Sequence, residues 1–167
     1  MPSITSYQQL QETCEASKPK VEIRLDGVSA DTSRRAILVC GGTGCHASKS
    51  QQLVNNFKAL IEEHELQGTV QASISGCFGF CEKGPIVKIF PDDVFYVEVK
   101  PENATRIFEE HILENRPVDR LLYKDPTRKN QRIPNQHDIP FYKRQQRIAL
   151  RNCGLINPED IAEYLAV

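Results

Sequence analysis

Four cysteines in two short clusters constrain this chain more than any other feature: Cys40-Gly-Gly-Thr-Gly-Cys45 and, some thirty residues on, Cys77-Phe-Gly-Phe-Cys81. Six of the nine glycines (Gly41, Gly42, Gly44, Gly76, Gly79 and Gly84) fall in or beside them. The backbone there can pass close to a guest and take left-handed turns at little steric cost. Four thiolates in such surroundings suit either an iron–sulfur cluster or a tetrahedral zinc ion, because both want soft anionic ligands and nearby peptide N–H groups offset the charge. The within-pair spacings lie near those of structural zinc sites, so a zinc-stabilised four-cysteine interaction domain without redox activity stands as the alternative. A thiol–disulfide catalyst fits less well, since its signature is C-x-x-C and the chain has none.

A chain of 167 residues with a net charge of −1 is long enough for a hydrophobic core without disulfides, and its charge balance points to neither nucleic acid nor a membrane surface. No stretch reaches the length of an apolar span, and the opening Met-Pro-Ser-Ile-Thr-Ser lacks the basic segment and apolar run of a secretory signal. The expected setting is the cytoplasm, where clustered cysteines serve as metal ligands or redox groups rather than disulfides. Cys14 and Cys153 stand alone and are expected to be small buried residues.

Along the chain, Ile4, Tyr7, Leu10 and Cys14 recur at helical intervals, with Ser3 or Thr5 as a cap and Pro19 as a stop. Val21, Ile23 and Leu25 alternate with polar residues before Asp26-Gly27, which predicts a strand and a turn. Residues 35–39 form a continuous apolar strand that delivers the chain into Cys40. Leu53, Val54, Phe57, Leu60 and Ile61 mark one face of a helix that Gly68 is placed to end. The strand 69–75 then runs into Cys77. If a helix joins two parallel strands, both cysteine clusters emerge at one carboxyl edge of the sheet, where open α/β folds bind ligands. A hairpin follows, 86–90 and 94–99 about Pro91-Asp92-Asp93, and then a helix opened by Pro101 that carries Ala104, Ile107, Phe108 and Ile112 on one stripe.

The spacing C-x4-C and C-x3-C on this element order resembles the thioredoxin-like [2Fe–2S] ferredoxin domains of NADH dehydrogenases, and differs from the plant-type pattern, which keeps three cysteines together. More narrowly, the chain is similar to the amino-terminal part of the flavin-carrying NADH-binding subunit of complex I-like NADH dehydrogenases and electron-bifurcating [FeFe]-hydrogenases; residues 133–154 and 157–164 resemble the segment leading into the flavin domain. The resemblance implies an α/β, thioredoxin-like fold: β-α-β then β-β-α around a mixed four-stranded sheet. It implies one [2Fe–2S] cluster on Cys40, Cys45, Cys77 and Cys81, serving electron transfer within an NAD(P)H-dependent oxidoreductase. The implied partners are a downstream flavin domain and the other subunits of the assembly. The glycine-rich run for FMN and NAD and the cysteines of a [4Fe–4S] centre do not occur in the chain. Those cofactors are therefore expected in a missing remainder, and this chain is expected to carry electrons without catalysis of its own. On this reading residues 1–30 form a helix and lead-in strand, 31–123 the [2Fe–2S] domain, 124–140 an extended basic linker, and 141–167 the helical start of the flavin domain.

The other chemistry-bearing residues receive lesser roles. His46 follows a cysteine but the ligand set is already complete, so it is expected beside the site or at the surface; His64, His111 and His137 are isolated and expected to be solvated. Phe78 and Phe80 are expected to shield the centre. The stretch 124–151 holds eight Lys or Arg against Asp125 and Asp138. Its prolines, Pro126, Pro134 and Pro140, predict an extended connector ahead of a helix carrying Ile148 and Ala149. Such a connector is either a solvated linker or a tether that docks on an acidic face.

Overall fold

The computed structural model describes residues 4–25 and 34–167. Helix α1 (Tyr7–Ser17) is capped by Ser6, whose hydroxyl accepts from the Gln9 N–H, while the Gln9 side chain reaches back to accept from Thr5. Thr5 is thus a partner of the cap rather than the cap itself; Ser3 lies outside the described residues. Residues 21–25, expected as a strand, instead end in a short helix, α2 (Glu22–Leu25). The cause is long-range: Arg24 is buried against Glu163 (Nη1–Oε2 2.5 Å) and donates to the Leu155 carbonyl, a pull that the local alternation does not contain. The expected Asp26-Gly27 turn lies outside the described residues.

Strand β1 (Arg35–Cys40) leads through α3 (Thr43–Ala47) and α4 (Ser50–Glu63) into β2 (Val70–Ser75), which pairs parallel to β1 with Cys40 opposite Ser75. Glu65, at φ 55°, ends α4 as the Leu66 N–H turns back to the Ile61 carbonyl, so the stop comes before Gly68. Strands β3 (Val87–Phe90) and β4 (Val94–Tyr96) form the expected hairpin, and β3 lies antiparallel to β1. The sheet order is β2-β1-β3-β4, a mixed four-stranded sheet as expected. After Pro101, α5 (Asn103–Ile107) runs on into a π-helical turn, Phe108–Leu113.

The alternation of side chains along β1 divides the core. Ile37 and Val39 point to a face covered by α4 and α5, where Leu53, Phe57, Tyr96, Ile107 and Phe108 are all buried. Ala36, Leu38 and Cys40 point to the other face, with Phe78, Phe95, Ile139 and Tyr142. Burying each such large apolar side chain contributes about 1.5–3 kcal/mol. His111, expected to be solvated, is buried on the first face: it meets the Tyr96 hydroxyl at 2.8 Å and Asp92 at 3.2 Å.

Residues 124–140 depart furthest from expectation. Strands β5 (Tyr123–Asp125) and β6 (Gln131–Ile133) pair as a hairpin, and the backbone around them completes the open edge of β4: Phe95 N–H donates to the Pro134 carbonyl at 2.8 Å and Val97 N–H to the Leu121 carbonyl at 2.9 Å. Prolines read locally as an extended connector, but Pro134 can still accept a hydrogen bond, and the unpaired edge of β4 supplies the donor. Helix α6 (Pro140–Lys143) is short, residues 148–149 form a bend and turn rather than a helix, and Ile148 is exposed. Helix α7 (Ile161–Leu165) is capped by Asp160 and packs on α1. Among the described residues no helix is long and apolar enough to cross a membrane.

Candidate metal centre

Both cysteine clusters leave the carboxyl ends of β1 and β2, as the strand–helix–strand order requires. The last ladder bonds hold them there: Cys40 N–H donates to the Ile86 carbonyl at 2.9 Å and Gly41 N–H to the Ser75 carbonyl at 2.8 Å. Cys40 ends its strand almost fully buried; the first turns of α3 present Cys45, also buried. Cys77 lies half-buried in the loop after β2, and Cys81, at the start of a 3-10 turn, is exposed. The four sulfurs form a chain of neighbours in which Cys45 meets Cys40, Cys40 meets Cys77 and Cys77 meets Cys81.

Two glycines make this approach possible. A Cβ on Gly42 would stand 2.9 Å from the Cys77 sulfur, and one on Gly84 would stand 2.6 Å from the Cys45 sulfur, inside any real carbon–sulfur contact. Gly79 serves differently: at φ +80° it turns its N–H to the Cys77 sulfur at 3.3 Å.

The peptide groups around the sulfurs favour anions. Cys40 is pulled down to about 6, first by the Cys45 thiol donating to it and then by the Phe78 and Gly42 N–H groups and the Cys77 thiol, against the opposing effect of burial. Cys45 is pushed up because its proton is shared with Cys40 and because it is buried. Burial also raises Cys77, followed by the neighbouring charge of Cys40 and Cys81, while the Gly79 N–H opposes the rise. Cys40 ionises readily while Cys45 and Cys77 resist, as expected of like groups crowded together, and a bound cation would relieve that resistance. The donor set is all sulfur, and N–H groups reach Cys40, Cys45 and Cys77. These residues fit an iron–sulfur cluster.

The side chains singled out beside the cysteines divide. His46 is exposed, as are His64 and His137. Phe78 is wholly buried, edge-on to Phe95 at 5.6 Å, and Phe80 stacks on Phe141 at 5.0 Å, so both pack the second loop. Cys14 and Cys153, expected to be buried, are only half-buried, but Cys153 lies against Gly76: a Cβ there would meet its sulfur at 2.8 Å. Three neighbours escaped the sequence reading. Tyr142 donates to the Phe78 carbonyl at 3.0 Å, Arg147 to the Cys77 carbonyl at 3.3 Å, and Gly154 N–H to the Ser75 hydroxyl at 2.9 Å. All three lie more than sixty residues downstream of their partners, and no local spacing announces them.

Comparison with known proteins agrees with this chemistry. Residues 29–111 match the family described as thioredoxin-like [2Fe–2S] ferredoxin. A 2Fe–2S ferredoxin of Clostridium pasteurianum is 34% identical over 77 residues, spanning 46% of this chain and 76% of that protein. One from Aquifex aeolicus is 34% identical over 79 residues, 47% of this chain and 71% of the relative. The crystal structure of the wild-type thioredoxin-like [2Fe–2S] ferredoxin from Aquifex aeolicus superposes with a TM-score of 0.49 at 31% identity, covering 53% of this chain and 94% of that one. The chain belongs to the thioredoxin-like [2Fe–2S] ferredoxin family.

Proposed function

We propose that Cys40, Cys45, Cys77 and Cys81 ligate the [2Fe–2S] cluster of this electron-transfer domain, one pair from each loop. The observation that carries the assignment is the convergence of four thiols from two loops on one sheet edge, cradled by Gly42 and Gly84 and met by peptide N–H groups. When bound, the cluster supplies a one-electron couple with no bond made to substrate. The chain's own part is to hold the sulfurs, to offset their negative charge through the N–H groups of Gly42, Phe78, Ile86 and Gly79, and to exclude water with Phe78. Cys81, the exposed ligand, marks the side nearest solvent and hence the shortest path for an electron to a partner.

Anaerobic purification with iron, sulfide and zinc analysis tests this. The expected result is two irons and two acid-labile sulfides per chain, with a paramagnetic signal on one-electron reduction. Zinc without sulfide, in a colourless protein, would establish the four-cysteine zinc domain instead.

We infer further that the domain works within an NAD(P)H-dependent oxidoreductase, receiving or delivering electrons beside a flavin domain. The support is the similarity of residues 133–154 and 157–164 to the segment preceding such domains. The isolated chain should then be reduced by dithionite but not by NADH, and should need an added NADH-oxidising flavoprotein to respond to NADH. Direct bleaching of the purified chain by NADH would overturn the reading.

A further inference from the structure

The family match ends at residue 111, yet the loop that carries Cys77 is also held from beyond it. Tyr142 bonds the carbonyl of Phe78, Arg147 the carbonyl of Cys77, and Gly154 the hydroxyl of Ser75. Gly154, at φ +87°, presses its backbone on the Phe78 ring so closely that a Cβ would stand 2.7 Å from it. The stretch 75–78 is therefore gripped by a single downstream segment, 142–154.

Within that segment Arg147 stands out by its charge. It is half-buried, and among the described residues its partner is the Cys77 carbonyl rather than a carboxylate. Its neighbours offer no compensation. Lys88, which feels its charge, is a second cation, already paired with Asp93 at 2.6 Å. The Tyr142 hydroxyl feels Arg147 on one side and Cys40 and Cys77 on the other. A partly desolvated guanidinium without a carboxylate is costly unless an anion lies nearby. The ligand sulfurs are that anion, and reduction makes the centre more negative still.

We propose that residues 142–154 form a cap on the Cys77 loop and that Arg147, acting through the Cys77 peptide, is a positioning residue that raises the cluster's reduction potential. This rests on the ligand assignment given above. A cation close to the centre stabilises the reduced form more than the oxidised one, because the attraction grows with the extra electron.

The test uses the full chain carrying Arg147→Gln, Arg147→Lys, Arg147→His or Arg144→Gln, each loaded anaerobically. Iron and sulfide are counted first: a wild-type chain that holds no cluster defeats the ligand assignment, not this proposal. Redox titration followed by electron paramagnetic resonance then reads the potential. R147Q should titrate at a more negative potential, R147K should restore most of the wild-type value, and R144Q, an exposed cation off the loop, should leave it in place. R147H carries the question within one protein. Its potential should climb relative to wild type as pH falls through the ordinary histidine range, and it answers alone if R147Q takes up no iron. An unmoved potential in R147Q, an equal shift in R144Q, or a flat R147H profile would overturn the proposal.

Discussion

The two faces of one sheet treat their polar groups in opposite ways. On the helix-covered face, the Val118 N–H donates to the Tyr96 hydroxyl at 2.9 Å, that hydroxyl meets His111 Nδ1 at 2.8 Å, and His111 Nε2 meets Asp92 at 3.2 Å. Asp92 also forms an ion pair with the Arg35 guanidinium, 3.2 Å from Nε. A neutral imidazole protonated at Nε2 satisfies every link, so this face closes its own network. On the opposite face the thiols of Cys45, Cys40, Cys77 and Cys81 have chiefly one another and a few N–H donors, which can satisfy one thiolate but not four. A closed network stabilises the fold without a guest; a group of sulfurs in which Cys40 ionises readily while Cys45 and Cys77 hold their protons favours a cation that can displace them.

The largest expected effect comes from filling the glycine cradle. Gly84→Ala drives a methyl group to 2.6 Å from the Cys45 sulfur, with the Cys81 carbonyl 3.5 Å away on another side. Iron and sulfide content per chain should fall severalfold, while urea unfolding of the cluster-free protein should change little, because the other face is untouched. Full iron incorporation in G84A would show that the loop can yield, and that the glycine is not what brings the sulfurs together. Removing a ligand outright, as in Cys40→Ser, should abolish the paramagnetic signal of the native centre.

A smaller effect is expected from opening the closed face. Tyr96→Phe leaves the buried Val118 N–H without an acceptor and His111 Nδ1 without a donor, which costs about 1–3 kcal/mol per unsatisfied group. The unfolding midpoint should drop, with the cluster's absorption and potential unchanged. A change in the cluster spectrum of Y96F would mean that the two faces are coupled, and would weaken the contrast between them.

What the sequence revealed of this contrast followed the range of the forces involved. The strands at 35–39 and 69–75, the helix marked by Leu53, Val54, Phe57 and Ile61, and the hairpin at Pro91 all follow from local periodicity and turn chemistry, and all are present. The cysteine clusters were legible for the same reason: each is contiguous, and the strand–helix–strand order brings the two together. Readings failed where a partner lay far off in the chain. Val21 and Ile23 alternate like a strand, but Arg24 is claimed by Glu163, 139 residues away. His111 looked solitary because Tyr96 and Asp92 meet it from another element at separations no helical or strand period produces. The prolines of 124–140 favour extended backbone, and the pairing edge of β4 turns that extension into a hairpin and bridges instead of a free linker.

The smallest effect, and the sharpest test of closure, is pH. Burial holds His111 below its ordinary value of 6.5, with Asp92 opposing that shift and Arg35 adding to it. The groups that face the ring are the Asp92 carboxylate, the Tyr96 hydroxyl and, through Asp92, the Arg35 guanidinium. The unfolded chain therefore takes up a proton on this histidine at a pH where the folded chain still refuses it. Acidification lowers stability wherever the unfolded state binds more protons, so the folded state should lose stability as pH drops through 6.5 towards the lower folded value, and keep it in full above. His111→Gln removes the proton from both states, so the difference between wild-type and variant unfolding midpoints should narrow or change sign on acidification. If that difference stays constant between about pH 8 and about pH 5.5, a range that brackets the ordinary histidine value, Asp92 has compensated burial, and the imidazole is held by its charge rather than by the neutral network.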